Sequence, residues 1–500
     1  MKAKSFLWGV ATSGYQVEGG FNRQGEPRTN WAVSEEKGEV EPLGDAAYFW
    51  AHYEEDLDRC QSMGLTAFRL SIEWSRVQPS YHPGDLGVPE FDDSAIQRYA
   101  RLIGACFARG LEPIVTLHHF VHPDWLNADP WLESDIGPAY HRYVTEVLTG
   151  INQHLVSAGY PVIRYLITIN EPNMLVLNTY FGAQFPSHAH RSLDSALKAI
   201  NGLLVTHIEA YNRIHDLYEA RGWGKPVVTL NNYCSDVYWF DKALMDLLVS
   251  REKGVGLNGL LVYLQSESNR FESSLHRLED ELHLRFTRWL GRAIRALIHV
   301  IARRKLSQES FKDIIVALAH SKRAQVFDLI AIDYYDPFCA HIVRFPSFED
   351  IEFKSQTLRS WLLNAVSSKW WDWRALPRGL RFFCENAIEA YPNRNLLIAE
   401  NGMALRRRRD NRHSSRKDRL TRSEFLSMHV GEVRSMIEAG LPLLGYLHWS
   451  LLDNYEWGTF SPRFGLFSLD YQQGSERLPT DHLGDCPSDT YAALIRSVDS

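Results

Sequence analysis

The chain has 500 residues, of which 45% are hydrophobic and 23% charged, with a formal net charge of −7. That is the composition of a globular protein whose core needs no staples; it excludes a disordered chain and offers no positive field for nucleic acid. The six cysteines (Cys60, Cys106, Cys234, Cys339, Cys384 and Cys486) form no CxxC pair and no metal-ligand spacing, so they read as reduced thiols in a reducing compartment. The chain opens Met-Lys-Ala-Lys and runs into the apolar stretch Phe6–Ala11, which breaks at Thr12-Ser13-Gly14. No window holds the roughly 18 uninterrupted apolar residues of a membrane span. A cytoplasmic protein is expected.

Taken in chain order, short β-rich apolar runs alternate with longer amphipathic stretches. Strands are expected at Ser5–Ala11, Ala67–Ile72, Pro113–His118, Ile163–Ile169, Val227–Asn231, Leu329–Tyr334, Leu396–Ala399 and Leu443–Trp449. Helical patterns lie between them, among them Tyr48–Met63, Asp93–Arg109, Tyr140–Ala158 and Leu193–Arg221. Alternating β and α favours a parallel sheet, and eight units over this length favour a closed (β/α)8 TIM barrel. A doubly wound open sheet usually carries a Gly-rich phosphate loop after its first strand, and none is present. No short repeat and no Pro-, Gly- or Ser-rich linker divides the chain, so 1–500 is read as one catalytic barrel domain. A longer than usual segment runs around 235–325.

In such barrels chemistry sits at the C-terminal ends of the strands. These strands end in Gln16-Val17-Glu18, Arg69, His118-His119, Asn170-Glu171, Asn231-Asn232, Asp333-Tyr334-Tyr335, Glu400-Asn401 and Trp449. One polar strand end is an ordinary loop start; eight on one rim point to a site. Thr168-Ile169-Asn170-Glu171-Pro172-Asn173 closes the fourth strand and Ile398-Ala399-Glu400-Asn401-Gly402 the seventh. Two glutamates at a barrel mouth suit glycosidic cleavage, in which one carboxyl protonates the leaving oxygen and the other meets the oxocarbenium-like centre. A retaining enzyme needs them about 5–5.5 Å apart. Arg69 is placed either to keep one carboxylate ionised or to form a buried ion pair that only stabilises the barrel. Tyr335 can donate to the same carboxylate.

These residues resemble glycoside hydrolase family 1, the β-glucosidase family, from Phe6 to about Tyr491. Phe6–Gly19 is similar to its N-terminal signature, Thr168–Asn173 to its T-x-N-E-P motif, Ile398–Gly402 to its I-x-E-N-G motif, and Trp449–Trp457 with Arg463-Phe464-Gly465 to its C-terminal signature. The resemblance implies Glu171 as acid/base and Glu400 as nucleophile. It implies Gln16, His119, Asn170, Glu456 and Trp457 as ligands of the terminal sugar, Trp449 as stacking floor with Phe464 beside it, and Trp373 as aglycone platform. Trp370 and Trp371 either widen that platform or pack. Phosphoglycosidases of the family replace the residue like Glu456 and add a Lys and a Tyr, so an unphosphorylated β-glycoside is expected; Glu171 favours O-glycosides over thioglucosides. The resemblance implies no metal and no organic cofactor.

Two departures stand out. Leu329–Tyr335 is similar to the family's G-x-N-Y-Y strand end, but Ala331 replaces Gly and Asp333 replaces Asn. Asp333 adds a negative charge near the catalytic pair, which predicts an altered pH profile or a compensating cation. Residues 284–305 interleave Arg with apolar residues at helical spacing. A basic amphipathic helix can lie on a membrane surface; an outer barrel helix with a solvated Arg face is the commoner outcome and the one expected. A second basic run, Arg406–Lys417, follows the nucleophile strand near the entrance. It would either attract an anionic aglycone or lipid headgroup or form a solvated loop. Hydrolysis of β-glucosides, with β-galactosides and β-fucosides as side substrates, is the leading function. Transfer of the sugar to a sugar or lipid acceptor is the alternative, and a silent sugar-binding protein is disfavoured by retention of both glutamates.

Overall fold

In the computed structural model the described residues are all those except 1–5, 83–86, 183, 283–284, 348–361, 363–364, 409, 472–473, 475 and 498–500. Ser5 and the first four residues of the chain therefore lie outside them. Eight parallel strands close into a barrel: β1 (Leu7–Ala11), β2 (Ala67–Ser71), β3 (Glu112–Thr116), β4 (Tyr165–Asn170), β5 (Val227–Tyr233), β6 (Ile330–Tyr334), β7 (Leu396–Asn401) and β8 (Leu443–Trp449). Each strand pairs with the next in sequence, and β1 pairs with β8, Leu7 opposite Gly445. The strands are apolar on both faces because both are covered, one by the barrel interior and one by helices.

Local chemistry sets the helix ends. Asp92 accepts from the amides of Ser94 and Ala95 to open Asp93–Ala108, and Thr421 with Glu424 forms a capping box ahead of Arg422–Glu438. Leu193–Arg221 begins on Ser192 and stops at Gly222, whose φ of 65° suits glycine. The helices hold the strand ends as well as covering them. The Tyr143 hydroxyl, on Ile136–Ser157, donates to the carbonyls of Ile72 (3.0 Å) and Leu117 (2.9 Å), and Tyr140 donates to the carbonyl of Thr168.

The long segment between β5 and β6 folds as Lys242–Val249, Leu260–Glu281, Arg285–Lys305 and Lys312–His320. Its third helix departs in part from the expected solvated Arg face. Arg295 is buried, donating to Asp236 (2.8 Å), Glu279 (2.8 Å) and Glu272 (3.1 Å), and Arg292 bonds Glu279 at 2.8 Å. Arg292 and Arg295 turn inward because acidic residues of the neighbouring elements face them, whereas Arg303, Arg304 and Lys305 stay exposed. Leu284 lies outside the described residues. The basic run after β7 also finds partners. Leu405–Arg407, His413–Ser414 and Pro462–Arg463 form a small antiparallel sheet. Arg407 pairs with Glu41 at 2.7 Å and Arg416 with Asp418 at 2.7 Å.

Candidate active site

Glu171 follows β4 directly, in the left-handed region at φ 38°. That conformation is costly for a residue with a side chain and is held by its surroundings: the Glu171 amide donates to the Asn231 carbonyl at 2.9 Å, and Pro172 starts a short helix. Phe120 and Trp457, which line the same pocket, are also left-handed, at φ 68° and 49°. Glu400 lies within β7. The glycine of the Glu400-Asn401-Gly402 motif has a steric cause, since a Cβ at Gly402 would sit 2.0 Å from the Trp449 carbonyl oxygen.

Glu171, Asp333 and Glu400 each place one carboxylate oxygen within 4.8 Å of the others, and all three are buried. Arg69 sits among them. It donates to Glu400 Oε1 at 2.8 Å, lies 3.9 Å from Asp333, donates to Asn170 Oδ1 and reaches Thr116 Oγ1 at 3.0 Å. The Tyr335 hydroxyl donates to Glu400 Oε2 at 2.8 Å. Burial raises the pKa of Glu400, while Arg69 and Tyr335, bonded to both its oxygens, pull it back down. Among the described residues no cation forms an ion pair with Glu171, and the Arg69 charge lowers it only slightly. Burial first, and then the charges of Asp333 and Glu400, push it well above the ordinary carboxyl range. Asp333 is also raised, by burial and by Glu400, while Arg69 and the Asn231 amide that donates to it act in the opposite sense. Arg69, 3.9 Å from Asp333, offsets this only in part.

Gln16, His119, Glu171, Tyr335, Trp373, Glu400, Trp449, Glu456, Trp457 and Phe464 line one pocket, as the sequence predicts. Arg69, Asn170 and Asp333 lie beneath it, fully buried. Asn170 Oδ1 accepts from both Arg69 and Asn231, so its Nδ2 is left to donate, 3.3 Å from His119 Nε2. Burial, then the Arg69 charge, keeps His119 neutral. Its ring stacks on Trp449 at 5.7 Å. Glu456 accepts from Trp449 Nε1 at 2.8 Å and Gln16 Nε2 at 3.0 Å; burial pushes it up to about 8. Its charge at neutral pH is therefore smaller than the sequence suggests. Gln16 Oε1, His119 Nδ1 and Glu171 Oε1 are buried without a hydrogen-bond partner. Such groups are rare unless something else satisfies them, and the hydroxyls of a sugar would do so.

Phe120 and Tyr233 complete the pocket wall and escaped the sequence reading, although each adjoins a flagged strand end; Trp370 lines it, whereas Trp371 sits under Arg406 at 5.6 Å. Arg416 donates to the Trp373 carbonyl at 2.6 Å, so one arginine of the basic run supports the platform. Among the described residues no Lys or Arg lines the pocket. Arg463, next to Phe464, turns away to Asp453 (3.1 Å) and Asn411 (2.6 Å).

The chain matches the family described as Glycosyl hydrolase family 1 over residues 2–482. It is 27% identical over 485 residues to a 6-phospho-beta-galactosidase 1 of Streptococcus pneumoniae, covering 94% of each chain. It is 26% identical over 479 residues to Beta-glucosidase A of Thermotoga maritima, covering 94% of this chain and 93% of that one. A solved Thermotoga maritima beta-glucosidase in complex with castanospermine shares the fold, with a TM-score of 0.69 at 21% identity over 99% of this chain and 98% of that one. The chain therefore belongs to glycosyl hydrolase family 1, whose members hydrolyse O-glycosides.

Proposed function

We propose that the protein is a retaining β-glycosidase acting on terminal, unphosphorylated β-D-glucosides, with β-galactosides and β-fucosides as side substrates. The observation that carries this is the carboxyl pair: nearest oxygens of Glu171 and Glu400 within 4.8 Å, one carboxyl gripped by Arg69 and Tyr335 and the other driven toward its protonated form. Retaining pairs stand about 5–5.5 Å apart and inverting pairs about 6.5–9.5 Å, so oxygens this close favour the retaining geometry. Glu400 attacks the anomeric carbon while Glu171 gives its proton to the departing glycosidic oxygen. Glu171, now a carboxylate, takes a proton from water; that water attacks the same carbon and releases Glu400. Asn170 Nδ2 supports a 2-hydroxyl contact that strengthens as charge develops at the ring.

Two relatives of similar identity differ in whether their named substrate carries a 6-phosphate. The pocket favours its absence. A buried phosphate dianion needs cations or a dense set of donors, and the pocket is lined by carboxyl, amide, imidazole and aromatic groups without Lys or Arg. The six described cysteines are all free, which supports a reducing, cytoplasmic setting. The test is a panel of nitrophenyl β-glycosides with and without a 6-phosphate, the anomer of the first product read by NMR. Net retention and preference for the neutral sugar are expected. Inversion, or a preference for the 6-phosphate, overturns the reading. Added sugar or lipid acceptors should leave free sugar as the main product.

A further inference from the structure

The helix Arg285–Lys305 is inverted relative to an ordinary surface helix. Its polar stripe faces the protein, where Arg292, Arg295 and His299 meet Glu279, Asp236, Glu272, Gln265 and Ser268. Its apolar stripe faces out: Trp289, Ala293, Leu297, Val300 and Ile301 recur at three- and four-residue spacing and are exposed, Trp289 by 65% and Leu297 by 61%. Such a face on a soluble chain marks an interaction surface.

Charge and position say what covers it. The last turn carries Arg303, Arg304 and Lys305, all exposed; Arg303 bonds the Gln265 amide oxygen at 2.8 Å, and among the described residues none of the three pairs with a carboxylate. An apolar stripe with a cationic end and a tryptophan matches a bilayer surface bearing anionic headgroups. The helix is tied to Asp236, three residues beyond β5, and packs on Cys339–Ile342, just beyond β6, with Gly291 against Ala340. These are loops on the C-terminal face of the barrel, the face that opens the pocket. Ile342 and Val343 add exposed apolar side chains beside the helix. Among the described residues no helix is long and apolar enough to cross a membrane, so this one would lie on it.

We propose that the outward face of Arg285–Lys305 docks the enzyme on an anionic phospholipid surface with the pocket mouth turned toward the bilayer. Resting on the β-glycosidase reading above, the substrate class delivered there is an amphiphilic β-glycoside whose sugar stands in the headgroup layer.

The test is flotation of the full chain with vesicles of phosphatidylcholine alone and of phosphatidylcholine with phosphatidylglycerol in equal parts. The wild type is expected to float with the mixed vesicles, at least tenfold more than with the neutral ones, and less at high salt. Trp289→Gln/Leu297→Gln/Ile301→Gln and, separately, Arg304→Glu/Lys305→Glu should each cut flotation at least fivefold while hydrolysis of a soluble nitrophenyl glycoside stays at the wild-type rate. Equal flotation of wild type and both variants overturns the proposal, as does no flotation at all. Sedimentation showing a dimer that the triple variant splits assigns the face to a second copy and also overturns it. The vesicle readout needs no turnover: failed flotation with intact hydrolysis sinks docking alone, and inactivity toward every glycoside sinks the glycosidase reading alone.

Discussion

Glu171 and Glu400 are the same functional group in different surroundings. Arg69 and Tyr335 bond both oxygens of Glu400, whereas Glu171 faces two other carboxyls from an equally buried position. Glu400→Gln removes the proposed nucleophile and is expected to lower kcat by at least about a thousandfold in steady-state assays, since on that reading covalent catalysis is lost altogether. Glu171→Gln should behave differently with leaving group. General-acid assistance is worth about 10²–10⁴, so alkyl glucosides should lose that much in the glycosylation step, while a dinitrophenyl glucoside, whose leaving group needs no proton, should show nearly normal burst kinetics. Asp333 adds a further expectation. As a negative neighbour it raises the Glu171 pKa, and a raised acid stays protonated to higher pH. Asp333→Asn should therefore move the basic limb of the kcat/KM profile toward acid, and a profile that does not move would show that Asp333 is electrically silent.

At the scale of elements, most of the barrel was legible because its strands are apolar runs bounded by turn residues. Leu193–Arg221 falls where the sequence places it, and other ends shift by a few residues where tertiary hydrogen bonds extend or trim a strand, as at β5, which continues to Tyr233. The site residues were legible through their motifs at strand ends. Phe120 and Tyr233 were not, because an aromatic residue beyond a strand looks the same whether it packs or lines a pocket. The orientation of Arg285–Lys305 was also hidden: sequence shows that a helix has two faces, while the carboxylates that turn the arginines inward come from Asp236, Glu272 and Glu279 on other elements. Arg295→Leu leaves Asp236 buried without its cation, while Glu279 keeps Arg292; stranding a buried charge typically costs about 3–5 kcal/mol, and a clearly lower Tm is expected by calorimetry. Gly402→Ala should act through β7. A methyl 2.0 Å from the Trp449 carbonyl must displace backbone two residues from Glu400, so both Tm and kcat should fall, and a fully active variant would show that the strand end yields freely.

For the whole molecule, buried titratable groups set how stability varies with pH. Burial lowers His118, His207 and His448 to about 3 and His122, His141 and His429 to about 4. In the unfolded chain each would titrate near 6.5. Below that pH the unfolded state binds protons that the folded state refuses, so folding loses stability as pH falls from about 6.5. Burial acts in the opposite sense on acids, pushing Glu73 and Glu456 up to about 8 and Asp241 to about 7. These ionise near 4 in the unfolded chain. Between there and their folded values the folded state holds protons the unfolded state has released, so their contribution is present at low pH and is lost as pH rises toward about 8. From pH 4.5 to 6.5 the two sets oppose each other and largely offset. Above 6.5 the histidines are neutral in both states and only the acids act. Tm is therefore expected to vary little from pH 5 to 6.5 and to fall from there to pH 9 when scanned by calorimetry. A Tm that climbs steadily through pH 8 would mean that Glu73 and Glu456 are ionised in the folded protein, in which case the Glu456 carboxylate would again repel a 6-phosphate by charge.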